Sequence, residues 1–161
     1  MSHAAVTSSE PATPSVPFRV RERVRWGDVD LAGIMRYSAF PRFHDVAEAE
    51  LFRAAGITAL TVLERLGLWL PRRVLHIEYH VPALFDAELE ARLWIAAIGG
   101  TSLTLNGELW SADGATRHAS WYLVLVCVDA KSGAKRPVPD ELAGALAPFR
   151  WSIEGSAIAE P

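Results

Sequence analysis

The sequence predicts an α+β domain: one strand, one long helix, then four strands joined mostly by short turns. Three observations lead there. Residues 38–55 place Phe40, Phe43, Ala47, Leu51 and Ala54 at three- and four-residue spacing, the apolar stripe of an amphipathic helix. Residues 18–26, and again much of 74–128, alternate with the period of two that a half-buried strand requires. Gly99-Gly100 and Asp113-Gly114 interrupt the second of these regions where tight turns would fall.

Taken in order, residues 1–17 are small, polar and proline-bearing, and read as a disordered leader. The ordered domain is expected over 18–151, with a flexible tail over 152–161. In the first strand Phe18, Val20, Val24 and Trp26 share one face, and Arg19, Arg21, Arg23 and Arg25 share the other. That arginine row is either a solvated sheet face or a contact for substrate phosphates. The long helix opens with Pro41 in its first turn, where a missing N–H costs little, and stops at Gly56. Asp45, Glu48, Glu50 and Arg53 occupy its polar positions. Residues 58–70 predict a second, shorter helix carrying Leu60, Leu63, Leu66 and Leu70, ended by Pro71-Arg72-Arg73.

From Val74 the period of two returns, with Leu75, Ile77, Tyr79 and Val81 opposite His76, Glu78 and His80. On a helix, histidines four residues apart would share a metal ion; on a strand the same spacing separates them by roughly 13 Å, so no metal site is expected. A turn over 82–86 leads to a strand with Leu89, Ala91, Leu93, Ile95 and Ala97 on one face, and then to one bearing Leu103, Leu105 and Leu109. Residues 119–128 are almost continuously apolar, as a central strand would be. Cys127 lies inside that run and reads as buried and inert.

Composition excludes several classes of function. The 161 residues, 50% hydrophobic and 22% charged, describe one globular domain. A net charge of −3 gives no support to a nucleic-acid partner. A single cysteine rules out an internal disulfide and suits a reducing cytoplasm. No apolar run approaches the roughly 18–20 residues that span a bilayer, and with no charged segment followed by an apolar core at residues 1–17 a secretory signal is not expected. A cytoplasmic protein without membrane attachment is the expectation. No repeat, phosphate-cradling glycine loop, Gly-x-Ser-x-Gly elbow or cysteine–histidine metal spacing is found. Ser102 and His118 as nucleophile and base have no motif behind them.

The stretch WGDVDLAGIMRY, residues 26–37, stands apart. It breaks the first strand with two acids and two glycines, immediately before the long helix. A helix start offers unpaired N–H groups and partial positive charge that polarise a carbonyl oxygen. A neighbouring carboxylate can act on the same carbonyl carbon as base or nucleophile. The plain alternative is that Asp28 and Asp30 are turn and capping residues.

This stretch resembles the acidic motif of the hotdog-fold acyl thioesterases of the 4-hydroxybenzoyl-CoA thioesterase family: Asp-x-Asp-x-x-Gly, an aliphatic residue, then an aromatic before the central helix. Asp28, Asp30, Gly33, Ile34 and Tyr37 fill those places. The likeness continues through His76-Ile77-Glu78-Tyr79, the turn Gly99-Gly100-Thr101-Ser102, and Pro137-Val138-Pro139 near the end. It implies a hotdog fold, a curved antiparallel sheet wrapped around one long helix. It also implies hydrolysis of an acyl thioester without metal or other cofactor, in a homodimer or homotetramer with active sites at the dimer interface. Asp30 takes the place of the catalytic carboxylate, as nucleophile or as base for water, and Tyr37 that of the residue whose backbone N–H polarises the thioester carbonyl. Gly33 would permit close approach, and Ile34, Thr101 and Ser102 would join it in contacting substrate. Asp28 would brace the turn.

Around Gly99–Leu103, where some members carry basic residues for the coenzyme phosphates, this chain has none. Coenzyme A and the pantetheine arm of a carrier protein therefore both stand as acyl carriers. Met35, Phe40, Leu68 and Trp69 are candidates for an apolar acyl pocket. Three other readings accompany the resemblance: a non-catalytic acyl-CoA-binding hotdog protein; a hotdog dehydratase, which would need His44 paired with an acid; and a carboxylate two turns into the helix, Asp45 or Glu48, in place of Asp30.

Overall fold

The computed structural model describes residues 16–151. The leader expected over 1–17 lies outside the described residues except for Val16 and Pro17, the latter buried, and the tail over 152–161 lies outside them altogether.

Strand β1 (Phe18–Arg23) pairs antiparallel with β4 (Glu88–Ile98). Its register sets the arginine row against an acidic one. Arg19 meets Glu90 at 2.6 Å, Arg21 lies 3.8 Å from Glu88, Arg23 lies 3.5 Å from Asp86, and Arg25 turns back to Glu22 at 3.2 Å. Each guanidinium thus already faces a carboxylate, three of them across the β1–β4 pair and Arg25 within its own segment. The strand also ends earlier than its alternation suggests. Val24 is buried, but a 3₁₀ turn at Trp26–Asp28 rotates Trp26 into solvent and Asp28 inward.

A second 3₁₀ turn, Tyr37–Ala39, runs directly into helix α1 (Phe40–Ala54). Its 15 residues span about 22 Å at 1.5 Å per residue. Phe40, Phe43, Ala47 and Leu51 are buried as the periodicity requires, whereas Ala54 is exposed. The helix closes in a Schellman motif: Gly56, at φ +73°, donates to the Arg53 carbonyl at 3.0 Å, and Ile57 donates to that of Phe52 at 3.0 Å.

The second helix is shorter than its leucines predict. Helix α2 covers only Ala59–Glu64, capped by the Thr58 hydroxyl on the Thr61 amide, and Gly67 turns the chain at φ +65°. Leu68–Trp69 is instead a two-residue strand, β2, paired with β7 (Val128–Asp129). Nor do Arg72 and Arg73 terminate a helix. They open β3 (Arg72–Tyr79).

Strands β3, β4, β5 (Ser102–Ser111) and β6 (Arg117–Val126) follow, and the five-stranded antiparallel sheet has the order β1-β4-β5-β6-β3. One face closes on α1, burying Leu89, Ala91, Leu93 and Ile95 with Leu103, Leu105 and Leu109, and Trp121, Leu123 and Leu125 from β6. A bulge between Ile95 and Ala97 shifts the register, so Ala97 falls off the buried face where strict alternation would place it. Gly107 lies beneath the Trp121 indole, which would have to shift to admit a Cβ there. Cys127 is buried, and a short helix α3 (Asp140–Leu146) follows Pro139. A five-stranded sheet closed on one long helix is the hotdog arrangement.

Candidate active site

The acidic stretch folds into a small hairpin in front of α1. Arg36 donates its amide to the Asp28 carbonyl at 2.8 Å, Val29 bridges Met35, and Asp30 donates to the Ile34 carbonyl at 3.0 Å. Gly33, at φ +74°, returns the chain by donating to the Asp30 carbonyl at 3.0 Å, a backbone conformation that favours glycine. Oδ1 of Asp30 accepts the amides of Ala32 at 2.8 Å and Ile34 at 3.3 Å; Oδ2 has no partner among the described residues. The Asp30 side chain stands at the exposed tip, beside the fully exposed Leu31.

Asp28 is the opposite case. It is buried, its Oδ2 accepts the Arg25 amide at 2.8 Å, and both of its oxygens are held by the guanidinium of Arg42 in the first turn of α1, Nε reaching Oδ1 at 3.1 Å and Nη2 reaching Oδ2. Burial alone would raise its pKa. The bonds from Arg42 and the Arg25 amide, with the two positive charges, outweigh burial and hold the carboxyl below the usual aspartate range. The bracing role expected of Asp28 is what its contacts describe.

Beside the hairpin is a cleft of about 340 Å³ lined by Ile34, Met35, Tyr37, Phe40, Tyr79, His80, Val81 and Pro82. Tyr37 and Ser38 open the helical run, so their amides have no carbonyl one turn behind them. Phe40 and Tyr79 pack edge to face at 4.7 Å between ring centroids. Ile34 and Tyr37 thus share one cleft, with Asp30 and Gly33 on the hairpin that borders it.

Thr101 and Ser102 are not brought to that cleft within the protomer. They occupy the turn between β4 and β5, whereas the hairpin adjoins the Glu88 end of β4 through residues 83–86. The ten residues separating the two ends of β4 amount to roughly 33 Å of strand. The Thr101 carbonyl accepts the Cys127 amide at 2.9 Å, and the Gly100 carbonyl accepts the Val138 amide at 2.9 Å. Ser102 and His118 likewise sit at opposite ends of the β5–β6 pair, and the His118 Nδ1 meets the Val81 carbonyl at 3.0 Å. The histidines flanking Glu78 have separate partners: His76 contacts Glu78 at 3.3 Å and His80 contacts Ser120 at 2.9 Å.

The proposed apolar pocket divides in two. Met35 and Phe40 line the cleft by the hairpin, whereas Leu68 and Trp69 line a second cavity of about 440 Å³ between α1, α2 and β2. Asp45, Glu48 and Arg72 form one wall of this second cavity. Arg72 reaches Asp45 at 3.3 Å and Glu48 at 3.0 Å. Burial pushes the Glu48 carboxyl up despite Arg72. His44, Asp45 and Glu48 place donor atoms within 4.8 Å of one another, a grouping able to hold a cation, and the Arg72 guanidinium already supplies positive charge there. His44 is buried, with Nδ1 3.4 Å from Asp45, and lines neither cleft. Burial, with Arg72 adding to it against the pull of Asp45, lowers its pKa and favours neutral imidazole.

The clamp by Arg42 and the cleft positions of Tyr79 and His80 carry no mark in the sequence. No spacing rule links Asp28 to a residue fourteen positions on; Tyr79 was legible within the strand that shares the family likeness and His80 within the His76-x-Glu78-x-His80 string, neither as a cleft residue.

Residues 24–146 match the family model of the thioesterase-like superfamily. The acyl-CoA thioester hydrolase YbgC of Escherichia coli is 26% identical over 125 residues, covering 78% of this chain and 92% of that protein. Among solved structures, a 1,4-dihydroxy-2-naphthoyl-CoA thioesterase from Synechocystis superposes with a TM-score of 0.75 at 20% identity, covering 81% of this chain and 95% of its own. A thioesterase superfamily protein from Jannaschia sp. CCS1 gives 0.78 at 22% identity, covering 87% and 97%. The acidic hairpin, the helix it precedes and every strand of the sheet except β1 fall within the matched span, and the chain belongs to the thioesterase-like superfamily.

Proposed function

We propose that this protein hydrolyses acyl-CoA thioesters to free acid and thiol, with Asp30 as the catalytic carboxylate. The carrying observation is an exposed carboxylate with one free oxygen, on a hairpin bordering a cleft that contains the start of α1. The name of the Escherichia coli relative, an acyl-CoA thioester hydrolase, supports the same activity. The thioester carbonyl oxygen accepts the Tyr37 amide, where the helix start stabilises the oxyanion. Asp30 either attacks the carbonyl carbon, giving an acyl-aspartyl anhydride that water cleaves, or takes a proton from the attacking water. On both routes the C–S bond breaks, the thiolate leaves and is protonated, and the acid departs with one oxygen from water. Ile34 and Gly33 border the acyl group. A carrier protein's pantetheine arm presents the same thioester and is the alternative substrate.

A homodimer, or a tetramer of dimers, completes the proposal. β3 is an edge strand whose described sheet partner is β6 alone, and it leaves Leu75 and Tyr79 exposed. Antiparallel pairing of β3 with its copy sets the Arg72 end of one protomer beside the Tyr79 end of the other. Thr101 and Ser102, held away from Asp30 in their own protomer, would serve substrate only across such an interface. No helix among the described residues is long and apolar enough to cross a membrane. A cytoplasmic location is part of the proposal, supported by the lone Cys127, which suits a reducing compartment.

The test is Asp30→Asn against a panel of aliphatic and aryl acyl-CoA and acyl-pantetheine thioesters, followed by thiol release. The variant should fold normally and lose about 10²–10⁴ in kcat. Absence of wild-type turnover across the panel refutes the activity. Full activity in the variant refutes the assignment of Asp30 and makes Glu48 the next residue to change.

A further inference from the structure

We infer that Arg42 is a positioning residue of this reaction, acting through Asp28 to fix the Asp30 hairpin against the first turn of α1; the inference rests on Asp30 being the reacting carboxylate. Arg42 is the point where three separate pieces of chain meet. Its Nε and Nη2 grip the two oxygens of Asp28, Nη2 also donates to the Arg23 carbonyl at 3.1 Å, and Nη1 lies 3.5 Å from Glu22. The guanidinium lies 4.4 Å from the centroid of the Phe43 ring, which is itself buried in the core. The end of β1, the hairpin and the helix are therefore locked together through one planar fork.

The hairpin needs such a lock. Asp30, Leu31 and Ala32 are exposed and gain nothing from packing. The returning strand is tied to residues 83–85 by the Met35 amide on the Ala83 carbonyl at 2.8 Å and the Phe85 amide on the Gly33 carbonyl at 3.1 Å. The outgoing strand, which carries Asp30, is bound to the returning one at Val29–Met35 and Asp30–Ile34, and its side-chain tie to α1 is the Asp28 carboxylate on Arg42. Asp28 then joins the two strands, since its carbonyl accepts the Arg36 amide at 2.8 Å, one residue before Tyr37. Releasing Asp28 from Arg42 removes the hairpin's side-chain tie to the first turn of α1, so the Asp30 tip can shift relative to the Tyr37 amide. That changes the distance between carboxylate and oxyanion site, the quantity on which attack depends. Lysine cannot substitute fully, because a single ammonium does not grip both carboxylate oxygens and the Arg23 carbonyl in one plane.

The experiment is a double-mutant cycle on kcat, using octanoyl-CoA and benzoyl-CoA with thiol detection, at a temperature where every variant is folded by circular dichroism. Arg42→Met should lower kcat by about 10²-fold, the order expected for a misplaced reacting group, with little change in KM. Arg42→Lys should recover most of the lost thermal stability but only part of kcat. In the Asp30→Asn background Arg42→Met should cost almost nothing further, because the group being positioned is gone. The inference is overturned if folded Arg42→Met keeps kcat near wild type, or if it loses the same factor with and without Asp30. Should Arg42→Met fail to fold, Arg42→Lys in the same cycle decides by the same criteria. Should the wild type cleave neither octanoyl-CoA nor benzoyl-CoA, the cycle is run on whichever thioester of the Asp30→Asn panel it does cleave. Inactivity across that panel would refute the proposed activity, and this inference with it, whereas an active wild type with an indifferent Arg42 would refute the inference alone.

Discussion

Substituting Gly107 by alanine tests how tightly the sheet is packed on the central helix. An added Cβ would stand 2.3 Å from Cζ2, 2.4 Å from Cε2 and 2.8 Å from Nε1 of Trp121. Carbon atoms in contact prefer about 3.5–4.0 Å, so the indole must retreat by more than an ångström. Its room to do so is small: Trp121 is 4% exposed and its ring centroid lies 6.4 Å from that of His44 on α1. Overpacking of this kind costs about 1–3 kcal/mol. The corresponding fall in Tm is roughly 2–4 °C per kcal/mol for a domain near this size. The backbone at Gly107 is outside the left-handed region, so alanine has no conformational objection of its own. In a Trp121→Leu background the same substitution should therefore stabilise, by about 0.4–1 kcal/mol, through a stiffer unfolded chain. Urea unfolding of the four proteins measures the coupling, with unchanged m-values securing the comparison. Equal destabilisation in both backgrounds, or none in either, would refute the packing argument.

His44→Gln should flatten part of the acid limb of stability. The native imidazole has a lowered pKa, so below about pH 6.5 the unfolded chain binds a proton that the native state resists, and stability falls with pH through that window. Glu48, raised by burial, pulls the other way in both proteins, so the readout is the difference between their urea midpoints from pH 7.5 to 5; parallel curves would refute it. Arg21→Ala should change stability by no more than about 1 kcal/mol, as exposed ion pairs do, and leave KM for an acyl-CoA unaltered. A KM increase that fades at high salt would instead assign the arginine row to coenzyme phosphates. Leu75→Asp, on the open edge of β3, should give a monomer by sedimentation with loss of turnover, and an unchanged oligomer would remove β3 from the interface.

Much of this architecture was legible because local pattern and tertiary burial agree. Phe40, Phe43, Ala47 and Leu51 mark α1, and the leucines of β4 and β5 fall on the buried face as alternation requires. The misreadings share a cause, a local pattern overridden by a non-local contact. Residues 68 and 69 fall inside the helix that Leu60, Leu63, Leu66 and Leu70 suggest, yet their backbone is claimed by a strand about sixty residues later. Ala97 obeys the period of two and is displaced by a bulge. At the site, the acidic motif announced a hairpin before a helix. It carried no sign that Asp28 is clamped by Arg42. It also gave none that Thr101 and Ser102 lie a whole strand away from Asp30.

Strand β3 is fastened to α1 at both ends, by Arg72 on Asp45 and Glu48 and by Tyr79 against Phe40. Between these posts only one of its edges is paired among the described residues. In an antiparallel ladder alternate residues direct their amides at the neighbour, so every second β3 amide points away from β6. Amide hydrogen exchange along this strand should therefore read as an odd–even pattern in a lone protomer, slow and fast by turns. Association through the edge would erase the alternation, turning eight residues of backbone into a clock for how often two protomers part.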